Sequence, residues 1–236
     1  MYISSQTFPE GSEPKTLQVA LIGRDGFVLA SDTRATTGGF NAIRRSSDVR
    51  KILLSSSGSL VCAYSGDDLA KMIAQGLIDS APATFPDNGT LRAHLEQSEW
   101  LANKFGGNRA GQLIIVGVPN AAQTVDKLWQ VSFQDNVSSP RITEIQTRSY
   151  GGDPNNSAVF ISEVYHRRDK WVDELKLLAA CVIVGGHKVN ATAVHGLDVL
   201  IAKDGAAPTF ARPAELQDLE TRSAVVYASL GNYFSL

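Results

Sequence analysis

The sequence predicts an α+β fold in which two antiparallel sheets pack face to face and helices cover their outer surfaces. Three observations predict it. Apolar and alternating runs fall into groups separated by helical patterns, in the order strands, two helices, strands, two helices, strands. The runs Val19–Ile22 and Phe27–Ala30 flank Gly23-Arg24-Asp25-Gly26, a local hairpin signal with the Asp-Gly pair at the turn. At 236 residues and 43% hydrophobic, the chain can bury a sizeable core.

Taken in order, residues 1–15 read as a polar leader, and residues 16–236 as one domain without linker, repeat or low-complexity segment. The leader has neither the basic start nor the apolar stretch of a secretion signal. Thr16 opens the first strand, and the hairpin ends near Asp32. Thr36-Thr37-Gly38-Gly39 is a loop, and Ile43–Ser47 is read as an edge strand or an ordered loop. Lys51–Leu54 and Leu60–Tyr64 form a second hairpin around Ser55–Ser59. Asp67 or Asp68 caps a helix on which Leu69, Met72, Ile73 and Leu77 recur at helical spacing, closed by Pro82 and Pro86. Thr90–Phe105 is a second helix, ended by Gly106-Gly107.

Gln112–Val118 is nearly all apolar and so reads as a central strand. Lys127–Phe133 alternates, as a half-buried antiparallel strand does, and Arg141–Ile145 pairs beside it. Tyr150-Gly151-Gly152-Asp153-Pro154 reads as a turn, and Asn155 or Asn156 caps a helix running roughly to Arg168. Val172–Val189 is a largely buried helix, Gly196–Lys203 a strand turned by Asp204-Gly205, and Pro213–Arg222 opens a last helix.

A net charge of −2 gives no general pull toward nucleic acid or anionic membrane. No run is long and apolar enough to span a bilayer. Cys62 and Cys181 sit in apolar runs and read as buried free thiols, which fits a reducing, cytoplasmic setting. Phosphate-binding, dinucleotide-binding and zinc-protease motifs are absent, and no cofactor is expected. His94, His166, His187 and His195 are scattered and read as surface or core residues rather than metal ligands, although His187 and His195 flank Asn190.

Asp32 and Arg34 stand where a buried strand finishes, where charges need partners or a task. An Asp–Arg pair fixing the loop is one reading. The run T-x-x-V-A-x-x-x-x-D-G-x-V-L-A-x-D-x-R-A-T from Thr16 to Thr36, followed by Lys51-Ile52, offers another. It resembles the N-terminal part of proteasome β subunits, members of the N-terminal-nucleophile hydrolases, and Gly196–Gly205 (GLDVLIAKDG) is similar to a later strand of that family. The resemblance implies a four-layer αββα sandwich.

The resemblance also implies roles. Thr16 falls at the family's nucleophile, the first residue after propeptide removal, whose freed α-amine is the general base; such an amine has a pKa of ~7.7–8.0. Asp32 falls at the family's acid and Lys51 at its lysine: the ammonium would lower the pKa of the threonine hydroxyl, and Asp32 would hold the lysine. Gly66 resembles the oxyanion-hole glycine. Thr36 and Gly66 would present backbone to an extended substrate, and Tyr64 would shape the specificity pocket. Asn190 stands near the position of a supporting aspartate, and Ala193 near that of a serine. The implied partners are peptide or unfolded-protein substrates and other subunits of a homo- or hetero-oligomeric ring.

The chain departs from the pattern. Lys15, not glycine, precedes Thr16; Asn190 carries no charge; and Gly151-Gly152-Asp153-Pro154 lacks the expected serine. Two functions therefore follow: a threonine-type endopeptidase activated by removal of residues 1–15, or an unprocessed, silent subunit with a structural role in the ring. A non-proteolytic amidase on the same fold is a third. Taken singly, Thr16 is a β-former, Lys51 a strand-end charge and Gly66 a glycine at the start of a helix; their joint register carries the functional reading.

Overall fold

The computed structural model describes residues 16–37, 45–107, 109–122, 124–134, 139–152, 159–189, 191 and 194–234. The leader, residues 1–15, lies outside them, as do Gly38–Gly39, Asp153–Pro154, Asn155–Asn156, Asn190 and Ala193. In chain order the elements are β1 (Leu17–Gly23), β2 (Gly26–Ser31), β3 (Arg34–Thr37), β4 (Arg45–Asp48), β5 (Ile52–Leu54), β6 (Val61–Ser65), α1 (Asp68–Asp79) and α2 (Asn88–Phe105). They continue with β7 (Leu113–Gly117), β8 (Leu128–Ser132), β9 (Arg141–Ile145), β10 (Arg148–Gly152), α3 (Val159–Tyr165), α4 (Val172–Val189), β11 (Asp198–Lys203), β12 (Thr209–Phe210) and α5 (Pro213–Phe234).

The strands form two five-stranded antiparallel sheets, ordered β10-β1-β2-β11-β12 and β5-β6-β7-β8-β9, and a two-stranded ribbon, β3-β4. Period-two alternation explains how they stack. Leu17, Val19 and Leu21 of β1, Val28 and Ala30 of β2, and Val199 and Ile201 of β11 point to a core beneath α4 and α5. The intervening Ala20, Ile22, Phe27, Leu29, Leu200 and Ala202 face Ile52, Val61, Ala63, Ile115 and Leu128 of the other sheet. Cys62, Tyr64, Ile114 and Val116 turn away from that layer toward α1 and α2. Three apolar layers thus separate four layers of structure, the αββα arrangement expected. All seven residues of β1 are buried, because the strand is covered on both faces.

The helix starts follow from their caps. Asp67 accepts the Leu69 N–H at 2.8 Å, and Asp87 accepts the Thr90 N–H at 2.7 Å. Leu69, Ile73 and Leu77 are buried as the spacing predicted, but Met72 is 41% exposed; the buried stripe runs instead through Ala70, Ala74 and Ile78. β7 occupies the centre of its sheet, as its apolar composition implied.

Three other local expectations are corrected. Gly23 pairs with Gly26, so the two turn residues of the first hairpin are Arg24 and Asp25 rather than Asp25-Gly26. The Asp25 carboxylate is committed to the start of α4, accepting the Val172 N–H at 2.8 Å. Tyr150–Gly152 is not a turn but the end of β10, paired with β1. Its glycines serve close backbone approach: a Cβ on Gly152, which has φ +92°, would stand 1.6 Å from the Thr16 carbonyl oxygen. Finally, Thr36-Thr37, read as the start of a loop, end strand β3, and the short strand β12 was not foreseen.

Candidate active site

Chain geometry brings three distant residues together at one end of the sandwich. The β1–β2 hairpin sets the residue before β1 beside the residue after β2, and the Asp32 N–H donates to the Leu17 carbonyl at 3.1 Å. Lys51, just ahead of β5, reaches across from the opposite sheet. Its Nζ donates to Thr16 Oγ1 at 3.0 Å and to Asp32 Oδ1 and Oδ2 at 3.0 and 2.9 Å. Asp32 also accepts the Leu17 N–H on Oδ1 at 2.9 Å and the Arg34 N–H on Oδ2 at 3.1 Å. The carboxylate is thereby fixed by its own hairpin before it meets the lysine.

All three side chains are buried. Burial pulls the Lys51 ammonium below the ordinary lysine range, opposed by the Asp32 charge. Burial likewise pushes the Asp32 carboxyl up, opposed by Lys51 and by the two backbone N–H groups. A hydroxyl held 3.0 Å from a desolvated ammonium is stabilised as it loses its proton. The ion partner of Asp32 is therefore Lys51, not the Arg34 guanidinium weighed in the sequence; Arg34 Nη1 donates to the Ala191 carbonyl at 2.8 Å.

A second pair bridges the sheets beside the first. Arg50 Nε donates to Asp198 Oδ2 at 3.0 Å, and its guanidinium lies 3.9 Å from the Phe210 ring centroid. Asp198 is buried and pairs in register with Ser31, the residue before Asp32. Tyr64 Oη donates to the Arg50 carbonyl at 3.3 Å, and the Tyr64 ring lies in the core beneath α1 and α2, so it braces the residue preceding Lys51.

Gly66 follows β6 and precedes the cap Asp67. Its φ of +132° and the Gln112 Oε1 that would stand 2.2 Å from a Cβ leave room for glycine alone. Thr36 lies on β3, paired with Ser46 of β4; among the described residues no strand occupies the other edge of β3. Asn190 lies outside the described residues. Nearby, His187 Nδ1 donates to the Val194 carbonyl at 2.6 Å, and its ring meets that of His195 edge-on at 5.2 Å. Among the described residues no cluster of three or more His, Cys, Asp or Glu side chains could hold a metal ion. No helix among them is long and apolar enough to cross a membrane.

The sequence reading missed Gln18, Gln112, Gly152 and the Arg50–Asp198 pair. Gln18 carried a signal, a polar residue within LQVALIG, where every neighbour is apolar or glycine.

No protein-family model matches the sequence, and no curated protein matches it. Solved structures do match in fold. An Anbu (ancestral beta-subunit) from Yersinia bercovieri is similar with a TM-score of 0.69 at 15% identity, over 93% of this chain and 97% of that one. The Anbu complex from Pseudomonas aeruginosa, described as a helical assembly, is similar with a TM-score of 0.69 at 18% identity, over 92% of this chain and 96% of that one. Anbu from Hyphomicrobium sp. strain MC1 is similar at 14% identity, with a TM-score of 0.69 over 93% of this chain and 98% of that one. At such identities the likeness establishes the fold. The resemblance to proteasome β subunits is thereby corrected: no family model supports it, and these structural neighbours are Anbu proteins, proteasome-like in fold but distinct as a family. The physical reason is that the hairpin and the β11 strand that carried the resemblance are core strands. The packing of the shared fold dictates them, and they do not distinguish the families built on it. The chain has a proteasome-like N-terminal-nucleophile hydrolase fold.

Proposed function

We propose that this chain is a threonine-type hydrolase of peptide bonds, with Thr16 as nucleophile once residues 1–15 are removed, working within an oligomeric assembly. The observation that carries the reading is the 3.0 Å contact of Lys51 Nζ with Thr16 Oγ1, with Asp32 behind the lysine. A purely structural ion pair has no need of a threonine hydroxyl as a further partner of the lysine.

In this reading the Thr16 hydroxyl attacks the carbonyl carbon of an extended peptide and passes its proton to the freed α-amine. Lys51 stabilises the developing alkoxide, and Asp32 keeps the lysine oriented. The Gly66 N–H receives the oxyanion. Collapse expels the leaving amine, which takes the proton from the α-amine and leaves an ester on Thr16. Water then attacks the ester with the same amine as base, releasing the acid and regenerating the threonine. The open edge of β3 around Thr36 supports docking of the substrate by strand addition, and Tyr64 stands beneath the site through its hold on Arg50. Residues 16–236 act as one domain. The assembly is proposed by likeness to the Pseudomonas aeruginosa complex.

A second reading, an unprocessed and silent subunit, is favoured by Lys15, because glycine's freedom assists the strained backbone of self-cleavage. One experiment separates the two. The intact mass of the assembled protein is measured before and after exposure to an electrophilic peptide inhibitor. Loss of residues 1–15 and a single adduct on Thr16 support the hydrolase; full mass without an adduct supports the silent subunit.

A further inference from the structure

Gln18 is fully buried on β1, two residues from Thr16, yet its side chain crosses to the other sheet, where Nε2 donates to the Tyr64 carbonyl. A carbonyl only accepts, so the amide orientation is fixed by chemistry. Its Oε1 is buried without a partner among the described residues. A leucine would suit this apolar layer without stranding an acceptor, so the glutamine is there for its donor. The backbone makes room for it: a Cβ on Gly151 would stand 2.8 Å from Gln18 Oε1.

The same turn is held from its other side. Gln112, just ahead of β7, accepts the Asp67 N–H on Oε1 at 3.1 Å, and that oxygen fills the space a side chain on Gly66 would take. One glutamine therefore grips the peptide group before Ser65, and the other grips the N–H after Gly66. Of the two, Gln18 is the one that joins the turn to β1, the strand that follows Thr16.

We propose that Gln18 and Gln112 form a clamp that sets the Gly66 peptide in register with Thr16, making Gln18 a positioning residue for the oxyanion site. The proposal deepens the hydrolase reading and rests on it for its catalytic part. Its conformational part can be read without activity.

The test uses full-length, assembled protein. Gln18→Met keeps the length of the side chain and removes the donor. Gln112→Glu keeps an acceptor for the Asp67 N–H, whereas Gln112→Met removes it. Amide hydrogen exchange across Ser65–Asp67 and hydrolysis of a fluorogenic peptide are followed in each. Gln18→Met and Gln112→Met are expected to speed exchange in the turn about tenfold. Amides of β2 and β7 keep their protection as the control for folding. Gln112→Glu is expected to stay within about threefold of the parent. In hydrolysis, Gln18→Met is expected to lower kcat about tenfold or more with KM held within about twofold, the signature of an interaction made at the transition state. Unchanged exchange in both Met variants overturns the clamp. Faster exchange in the Met variants of a parent that hydrolyses nothing upholds the clamp and overturns the hydrolase reading. Faster exchange with undiminished kcat in an active protein overturns the positioning role.

Discussion

At one end of the two-sheet sandwich Lys51 and Asp32 meet with side chains 4% and 0% exposed, while at the other Lys127 and Asp204 meet at 26% and 50%. The far end is the ordinary case. Its ion pairs, Lys127–Asp204 and Lys203–Asp173, sit in solvent around the hairpin turn, where water screens them. The near end takes two charges out of water, adds a second buried carboxylate at Asp198, and leaves a buried acceptor on Gln18 without a partner among the described residues. Desolvation penalises every one of these choices. A fold built only to pack has no need to treat its two ends so differently, and the contrast supports the proposed placement of the chemistry at the Thr16 end.

The largest expected effect comes from unpairing the buried end. Lys51→Met leaves the Asp32 carboxylate in the core with only two backbone donors, and a loss of about 3–5 kcal/mol in urea unfolding is expected. Lys127→Met, at the far end, is expected to cost less than about 1 kcal/mol. Equal losses at the two ends would erase the comparison. Next, Thr16→Ala is expected to abolish peptide hydrolysis and electrophile labelling while costing about 1 kcal/mol, the value of one hydrogen bond. Activity that survives this change excludes the threonine mechanism.

A smaller effect sharpens the picture of buried polar groups away from the site. Burial pulls His94 and His166 below the ordinary histidine value, in spite of the bonds their Nε2–H groups donate to the Leu77 and Ile22 carbonyls. Below about pH 6.5 the unfolded chain takes up protons that the folded chain refuses. Stability is therefore full above that pH and falls as acidification proceeds toward the folded values. Thermal melts between pH 7.5 and pH 5 (about one unit either side of the histidine value) are expected to record the fall, and His94→Gln to reduce it. The smallest effect belongs to exposed helix pairs: Arg92→Ala, which removes the pair with Glu96, is expected to change stability by about 0.5 kcal/mol or less.

Much of this was legible in the chain itself. The apolar runs of β1, β2 and β11 marked them as strands covered on both faces, and their period of two splits each run into two sets, but the fold was needed to show which set meets the helices. Asp32 could be singled out because a charge is costly where a buried strand finishes, whereas Thr16, Lys51 and Gly66 are ordinary taken singly and were picked out by the register of the resemblance. What escaped was whatever depends on approach between elements distant in sequence. Nothing local distinguishes a glycine pair that bends a chain from one that admits a neighbour, so Gly151-Gly152 read as a turn. Gln112 precedes an apolar strand by one residue, and only the fold brings it to Gly66. The resemblance to proteasome β subunits did not hold as a family assignment, because core strands report the fold they build rather than the lineage that uses it.

Gly152 has a further consequence for anyone altering this protein. The backbone of β1 passes so close that position 152 admits a single letter of the amino-acid alphabet. In a saturation library its tolerance profile is expected to be a spike, although glycine bears no functional group. On the proposed mechanism, Gly152→Ala is expected to score with losses of Thr16 in a screen for hydrolysis, since it displaces that residue through its own carbonyl. An unreactive hydrogen atom on β10 thus limits what the Thr16 end of the sandwich can accept by substitution.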